Sequence, residues 1–340
     1  MATDPKPIAH GGALADAMAR HGGAAADWLD LSTGVSPFSL ELPAMDTDVW
    51  RRLPDPATVR EMAAAARAYY RGGQLPVPTP GSQAAIQLLP RLAPSGLTRR
   101  VAILSPTYGE YELAFRRAGF DIAAATMLDA ALDADVAVLA NPNNPDGRRF
   151  DRATLTAFAE ARAGRLTVVD EAFADMHPDL SIADLAGHLP GLVVLRSFGK
   201  FFGMAGIRLG FAFADREISA ALEAGLGPWA VSGPALAVAG QAFSRPDLVD
   251  GLKARISTAH ALTLAAIAQA GLELAGETAL FALVGYRGAA RLRDRLAADH
   301  VLTRAFDHSP DRLRIGLVAD PEQAARLSAT LRKAAAEGPA

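Results

Sequence analysis

The chain has 340 residues, half of them hydrophobic, which is enough to bury a large core in one big domain or two smaller ones. Its 34 Lys and Arg against 37 Asp and Glu leave a formal charge of −3, which speaks against a nucleic-acid-binding face or a polybasic membrane contact. Cysteine is absent, so disulfides and thiolate chemistry are excluded.

In chain order, Met1–His10 carries Asp4, Lys6 and the helix-hostile Pro5 and Pro7, and it lacks the apolar stretch of a signal peptide. Apolar runs such as Ala279–Val284 are far too short to span a bilayer, so a cytoplasmic location is expected. Ser82–Leu92 reads as a helix after the turn Thr79-Pro80-Gly81. Val101–Leu104, Val136–Leu139, Leu166–Val169, Leu192–Leu195 and Leu209–Phe213 read as buried strands, each short, apolar and bounded by polar or turn-forming residues. Helix-length segments such as Glu110–Ala118 and Arg152–Ala163 lie between them. This alternation predicts an α/β fold with a mostly parallel sheet covered by helices on both faces. After Pro228 come the Ala-rich helices Pro234–Ala242 and Leu248–Ala270, strands near Ala279–Val284 and Arg312–Leu317, and a last helix from Pro321 to Ala335 opened by Asp320-Pro321-Glu322. The expected division is an N-terminal arm, 1–40, contributing to a smaller α+β domain, a large domain, 41–232, and a linking helix with the small C-terminal domain, 233–340.

Ligands of open α/β sheets bind beyond the carboxyl ends of the strands, so polar residues there should converge. Asp170 ends a strand in Val168-Val169-Asp170-Glu171-Ala172-Phe173, where it serves as base, metal ligand or partner of a protonated ring nitrogen, or simply caps a helix. Lys200 sits in Ser197-Phe198-Gly199-Lys200-Phe201-Phe202-Gly203. If this loop folds inward, desolvation lowers the amine's pKa and frees it as a nucleophile; otherwise it is a snorkelling surface lysine. Arg208 follows as a cationic fork suited to phosphate. Ala140-Asn141-Pro142-Asn143-Asn144-Pro145-Asp146-Gly147 alone is an ordinary turn.

In this order, with 30 residues from Asp170 to Lys200, the three segments resemble the signature of the fold-type-I pyridoxal-phosphate enzymes, the aspartate-aminotransferase superfamily. The resemblance runs from about Lys6 to Leu317. It implies a seven-stranded, mostly parallel sheet between helices, a smaller α+β domain, a homodimer and pyridoxal 5′-phosphate as cofactor. Lys200 would hold the cofactor covalently and move protons, and Asp170 would pair with the pyridine nitrogen. Asn144 would donate to the phenolic oxygen. Ser197 and Arg208 would bind the phosphate, together with the backbone N–H groups of Gly81-Ser82-Gln83 at a helix start. Tyr108 would stack on one ring face and Ala172 would lie under the other. Phe173 and Leu53 stand where many members carry tyrosines, so the contacts those tyrosines make are not implied here.

Fold does not fix reaction. Arg314, in Leu313-Arg314-Ile315-Gly316-Leu317, resembles the family's carboxylate-binding arginine, and Arg304 is a second candidate. Ile8-Ala9-His10-Gly11-Gly12, followed by Leu29-Asp30-Leu31-Ser32-Thr33-Gly34-Val35-Ser36-Pro37 and later Pro228-Trp229, looks like the L-threonine O-3-phosphate decarboxylases of cobalamin biosynthesis. That likeness implies that His10 and Gly11 contact a substrate phosphate, with Arg304 or Arg314 helping. The partner is then a small phosphorylated amino acid, the reaction its decarboxylation, and the product (R)-1-amino-2-propanol O-2-phosphate. Gly34 replaces an asparagine common in that group. The alternative is an aminotransferase of the histidinol-phosphate type. A pyridoxal-binding regulator lacks room for a winged helix ahead of His10, and no dinucleotide or nucleoside-triphosphate loop motif is present.

Overall fold

A computed structural model describes residues 8, 10–41, 44–93 and 98–338; Met1–Pro7 and Ala9, on which most of the signal-peptide reading rests, lie outside them. The chain forms two compact units. The first comprises Leu40–Asn144 and Arg149–Asp250. The second comprises Ile8–Ser39, Pro145–Arg148 and Gly251 onward.

The first unit is built on a seven-stranded sheet in the order Val77–Thr79, Gly210–Phe213, Leu192–Ser197, Leu166–Asp170, Val136–Ala140, Arg100–Leu104, Asp121–Ala125. Every pairing is parallel except the two made by Gly210–Phe213. The strands Val136–Ala140, Leu166–Asp170 and Leu192–Ser197 are buried along their whole length, as continuous apolar runs in a sheet covered on both faces must be. Val77–Thr79 lies at one edge, where Pro78 removes no ladder bond from the sheet interior. Helices start where sequence supplies a cap: the Asp151, Asp215 and Ser232 side chains accept from the N–H groups of Thr154, Ile218 and Ala235.

Residues 233–250, expected from sequence to begin the linking helix and smaller domain, group with this first unit. The reason is packing: the Gly233–Phe243 helix lies against Pro56–Tyr70, with Tyr69 stacked on Phe243 at 4.8 Å.

The second unit carries an antiparallel sheet, Arg304–Phe306, Ser309–Gly316, Phe281–Gly285, Glu273–Thr278, and a parallel pair, Leu29–Asp30 with Val301–Leu302. The Ala289–Ala298 and Pro321–Ala336 helices help close its core around Leu292, Leu296, Leu327 and Leu331. The loop Pro145–Arg148 belongs here because Gly147 lies directly on the backbone of Glu277; a Cβ at Gly147 would come 1.9 Å from the Glu277 carbonyl oxygen. Among the described residues no helix is long and apolar enough to cross a membrane.

Candidate active site

In the first unit the strand ends place Asp170 at the tip of Leu166–Asp170 and Ser197 at the tip of the neighbouring Leu192–Ser197, with Lys200 in the short helix Phe198–Phe201 that follows. Asp170 is buried and does not cap a helix. Its Oδ2 accepts the Tyr111 hydroxyl at 2.7 Å and its Oδ1 the Ala172 N–H at 3.0 Å. Burial holds this carboxyl above the usual carboxylate range; the Tyr111 and Ala172 bonds and the charges of Lys200 and Arg196 oppose the shift without cancelling it. Tyr111 is pushed well above its ordinary value, first by burial and then by Asp170, so its hydroxyl keeps its proton and remains a donor. Lys200 is half-buried, and its Nζ stands 6.0 Å from the Phe173 ring centroid, while its neighbours Phe198, Phe201 and Phe202 are fully enclosed. The aromatic side chains of the loop are thus folded inward, with Lys200 half-buried beside them.

The loop holding Asn144 is stitched to the same place. The Asn141 N–H donates to the carbonyl of Asp170 at 2.8 Å. Asn143 accepts from the Thr107 hydroxyl at 2.7 Å and donates to the Pro106 carbonyl at 2.8 Å, which ties the Asn144 loop to the loop bearing Tyr108. The Tyr108 hydroxyl donates to Gln83 Oε1 at 3.1 Å. The amide of Gln83 is oriented by buried Glu110, whose Oε2 accepts from Gln83 Nε2 at 2.7 Å and from Gln87 Nε2 at 3.2 Å.

An anion cradle adjoins these strand ends. Gly81 precedes the Ser82–Leu92 helix, whose first N–H groups have no intrahelical acceptor. A Cβ at Gly81 (φ +72°) would come 2.7 Å from Arg208 Nη2, and one at Gly210 would come 2.5 Å from the Ser82 nitrogen. Gly210 is in turn the cross-strand partner of Ser197. Arg208, Gly81, Ser82 and Ser197 therefore converge. The Gly81 N–H donates to the Thr79 carbonyl at 2.7 Å, so at this helix start it is the Ser82 and Gln83 N–H groups that lie beyond that bond.

The residues that the sequence reading missed lie beneath the site. Arg196 is buried between Glu171 (2.9 Å) and Asp175 (3.2 Å), with its guanidinium 4.4 Å from the centroid of Tyr70. Glu171 also accepts from the Ser181 hydroxyl and the Ile182 N–H, so the cluster is satisfied on several sides. Glu171 and Arg196 were legible as charges flanking Asp170 and Ser197. Tyr111 and Glu110 had only their place in an expected helix, which does not reveal a polar role.

His10, Gly11, Arg304 and Arg314 lie in the second unit. Arg304 and Arg314 are directly opposite across neighbouring antiparallel strands, so their side chains leave one face of the sheet. Phe306 lies beneath both, its ring centroid 5.3 Å from the Arg304 guanidinium and 5.9 Å from that of Arg314. His10 is exposed at the entry of the arm, and Gly11 rests on Ser32.

Residues 27–331 match the family described as aminotransferase class I and II. The chain belongs to this aminotransferase class I and II family. It is 47% identical over 329 residues to a threonine-phosphate decarboxylase of Sinorhizobium sp, covering 96% of this chain and 98% of that one. It is 43% identical to a threonine-phosphate decarboxylase of Pseudomonas aeruginosa, over 95% and 97% of the two chains. Among solved structures, it superposes with a TM-score of 0.83 on the histidinol-phosphate aminotransferase of Sinorhizobium meliloti in complex with pyridoxal-5′-phosphate, at 21% identity over 97% of this chain and 96% of that one. The fold is thus the fold-type-I arrangement that the three sequence segments implied. The residues of this aminotransferase-family site fit pyridoxal phosphate: an amine beside a buried carboxylate for a ring, and a helix start with an arginine, at glycines that tolerate no Cβ, for a phosphate.

Proposed function

We propose that the protein decarboxylates L-threonine O-3-phosphate to (R)-1-amino-2-propanol O-2-phosphate, with pyridoxal 5′-phosphate as cofactor. The observation that carries this reading is near-full-length similarity, at 47% and 43% identity, to threonine-phosphate decarboxylases. The paired Arg304 and Arg314 agree with it, because a substrate bearing both a phosphate and a carboxylate needs two cationic forks.

When bound, the cofactor supplies an electron sink for the bond broken at Cα. The chain's residues do the rest. Lys200 Nζ would hold the cofactor and would carry to Cα the proton that replaces the carboxylate. Asp170 holds a proton on the ring nitrogen; both of its oxygens already accept one protein donor, and a carboxylate has room for more. Asn144 donates to the phenolic oxygen, Tyr108 and Ala172 bound the ring, and Ser82, Gln83, Ser197 and Arg208 receive the cofactor phosphate. Arg314 takes the substrate carboxylate, and His10, Gly11 and Arg304 its phosphate. A homodimer belongs to the same reading, and the exposed Trp50, Leu53 and Trp229 are apolar surface that a second copy would cover. A cytoplasmic location goes with it.

The test is product analysis with and without an amino acceptor. Carbon dioxide should be released from L-threonine O-3-phosphate with no 2-oxo acid present. Turnover that depends on 2-oxoglutarate and releases no carbon dioxide would replace this reading with aminotransfer.

A further inference from the structure

Ser32 is buried in the second unit, where neither the family signature nor the proposed reaction assigns it a role. Four hydrogen bonds meet on it. Its hydroxyl and its own N–H both donate to Asp30 Oδ1, at 2.6 and 2.9 Å. Its Oγ accepts the Gly12 N–H at 2.7 Å. Its carbonyl accepts Arg314 Nη2 at 2.7 Å. The direction is fixed: a hydroxyl has one proton, this one goes to the Asp30 carboxylate, and the oxygen lone pairs therefore face the arm.

The segment around Ser32 is itself laced on both sides. Leu31 N–H donates to Leu302 at 2.8 Å, and Gly316 N–H donates to Leu31 at 2.7 Å. The arm lies flat on this segment, since a Cβ at Gly11 would come 2.3 Å from the Ser32 carbonyl oxygen, the same atom that receives Arg314. Arg314 is backed by the Phe281 ring, its guanidinium 5.2 Å from the ring centroid.

We infer that Ser32 is a positioning residue that pins the His10–Gly12 arm and Arg314 to one junction, its side chain holding the arm and its carbonyl holding Arg314, so that the grips for the substrate's phosphate and carboxylate are set relative to each other by a single residue. This rests on the function proposed above for its consequence in catalysis, but not for the junction itself. The inference also explains the glycine at position 11: any side chain there lifts the arm from the carbonyl that orients Arg314.

The experiment uses the full-length holoenzyme and the variants Ser32→Ala and Gly11→Ala. Amide hydrogen exchange is read over residues 10–20 without substrate. Exchange in this segment should rise about tenfold in Ser32→Ala, the size of one lost hydrogen bond. KM for L-threonine O-3-phosphate should rise about tenfold or more in both variants, with kcat within about threefold and the cofactor absorbance unchanged. Unchanged exchange in Ser32→Ala overturns the junction whatever the substrate. Normal KM in the presence of faster exchange overturns its role in substrate binding, as does a kcat loss matching the KM effect. Should Ser32→Ala not fold, amide exchange over residues 10–20 in Gly11→Ala decides, since that variant leaves Ser32 in place and lifts the arm from its carbonyl; unchanged exchange there overturns the junction, and its KM is not counted because Gly11 is itself assigned to the substrate phosphate. A wild type that turns over only with an amino acceptor defeats the decarboxylase reading and leaves the exchange result standing.

Discussion

The strand-end site of the first unit and the arm cluster of the second hold their functional groups by different means. Asp170, Ser197 and Lys200 sit at or just past the ends of strands that are buried throughout, and the charged layer beneath them is made of Arg196, Glu171 and Asp175, all enclosed. His10, Gly11 and Gly12 belong to no helix or strand, and the Gly12 N–H donates to Ser32. The first region is over-determined: removing one contact leaves many others. The second depends on a few polar contacts at partly exposed backbone, which is where local opening costs least. A cofactor that stays through every turnover suits the first, and a substrate that must enter and leave suits the second.

That contrast can be broken most severely at Lys200. Lys200→Ala should lower decarboxylation by roughly 10⁴-fold or more and abolish the yellow absorbance of the holoenzyme, because among the described residues no other lysine lies in the first unit to replace it. Retained colour after gel filtration would mean that the cofactor is held elsewhere.

Next comes the charged layer. Arg196→Ala leaves Glu171 and Asp175 buried without their cation, and unfolding stability should fall by about 3–5 kcal/mol, read from denaturant midpoints of the cofactor-free protein. A loss below about 1 kcal/mol would show that the first region is less tightly determined than its packing suggests. No comparable loss is expected from Ser32→Ala, which keeps the apolar core of its unit intact.

The smallest effect concerns pH. In the cofactor-free protein the Asp170 carboxyl keeps its proton to higher pH than the unfolded carboxyl does, chiefly because it is buried. The folded state then binds more protons than the unfolded one. The stability from this group is full below the unfolded value of about 4 and is lost as pH rises through the folded value. Asp170→Asn cannot titrate, so the wild type should lose melting temperature relative to Asp170→Asn as pH rises from about 4. A difference that is flat with pH, measured by calorimetry on both cofactor-free proteins, would contradict the assignment.

The same contrast governs what could be seen in the sequence. The central strands were legible because burial on both faces writes a continuous apolar run, and Ser82–Leu92 was legible to the residue because Pro80-Gly81 marks its start. The edge strand Asp121–Ala125 was not, since its sequence, Asp-Ile-Ala-Ala-Ala, has little β preference and half-exposed positions. Glu273–Thr278 was missed for the same reason, being largely exposed. In the candidate site, each position named from the resemblance could be found by motif, whereas Tyr111 and the Gln83–Glu110 pair act through contacts 59 and 27 residues apart in the chain, which no local pattern encodes. The boundary expected at 232 followed a change in composition, whereas the grouping of the Gly233–Phe243 helix with the first unit comes from its packing against Pro56–Tyr70, which composition does not encode.

The bare α-carbon at Gly210 has a wider consequence. Because a Cβ at Gly210 would come 2.5 Å from the Ser82 nitrogen, the sheet meets the start of the Ser82–Leu92 helix at main-chain distance there, and this side of the anion cradle is set by backbone dimensions while Arg208 supplies the side that can move. Loops above it can be exchanged to change what the enzyme accepts without recalibrating the seat beneath, which is how one scaffold comes to serve many chemistries.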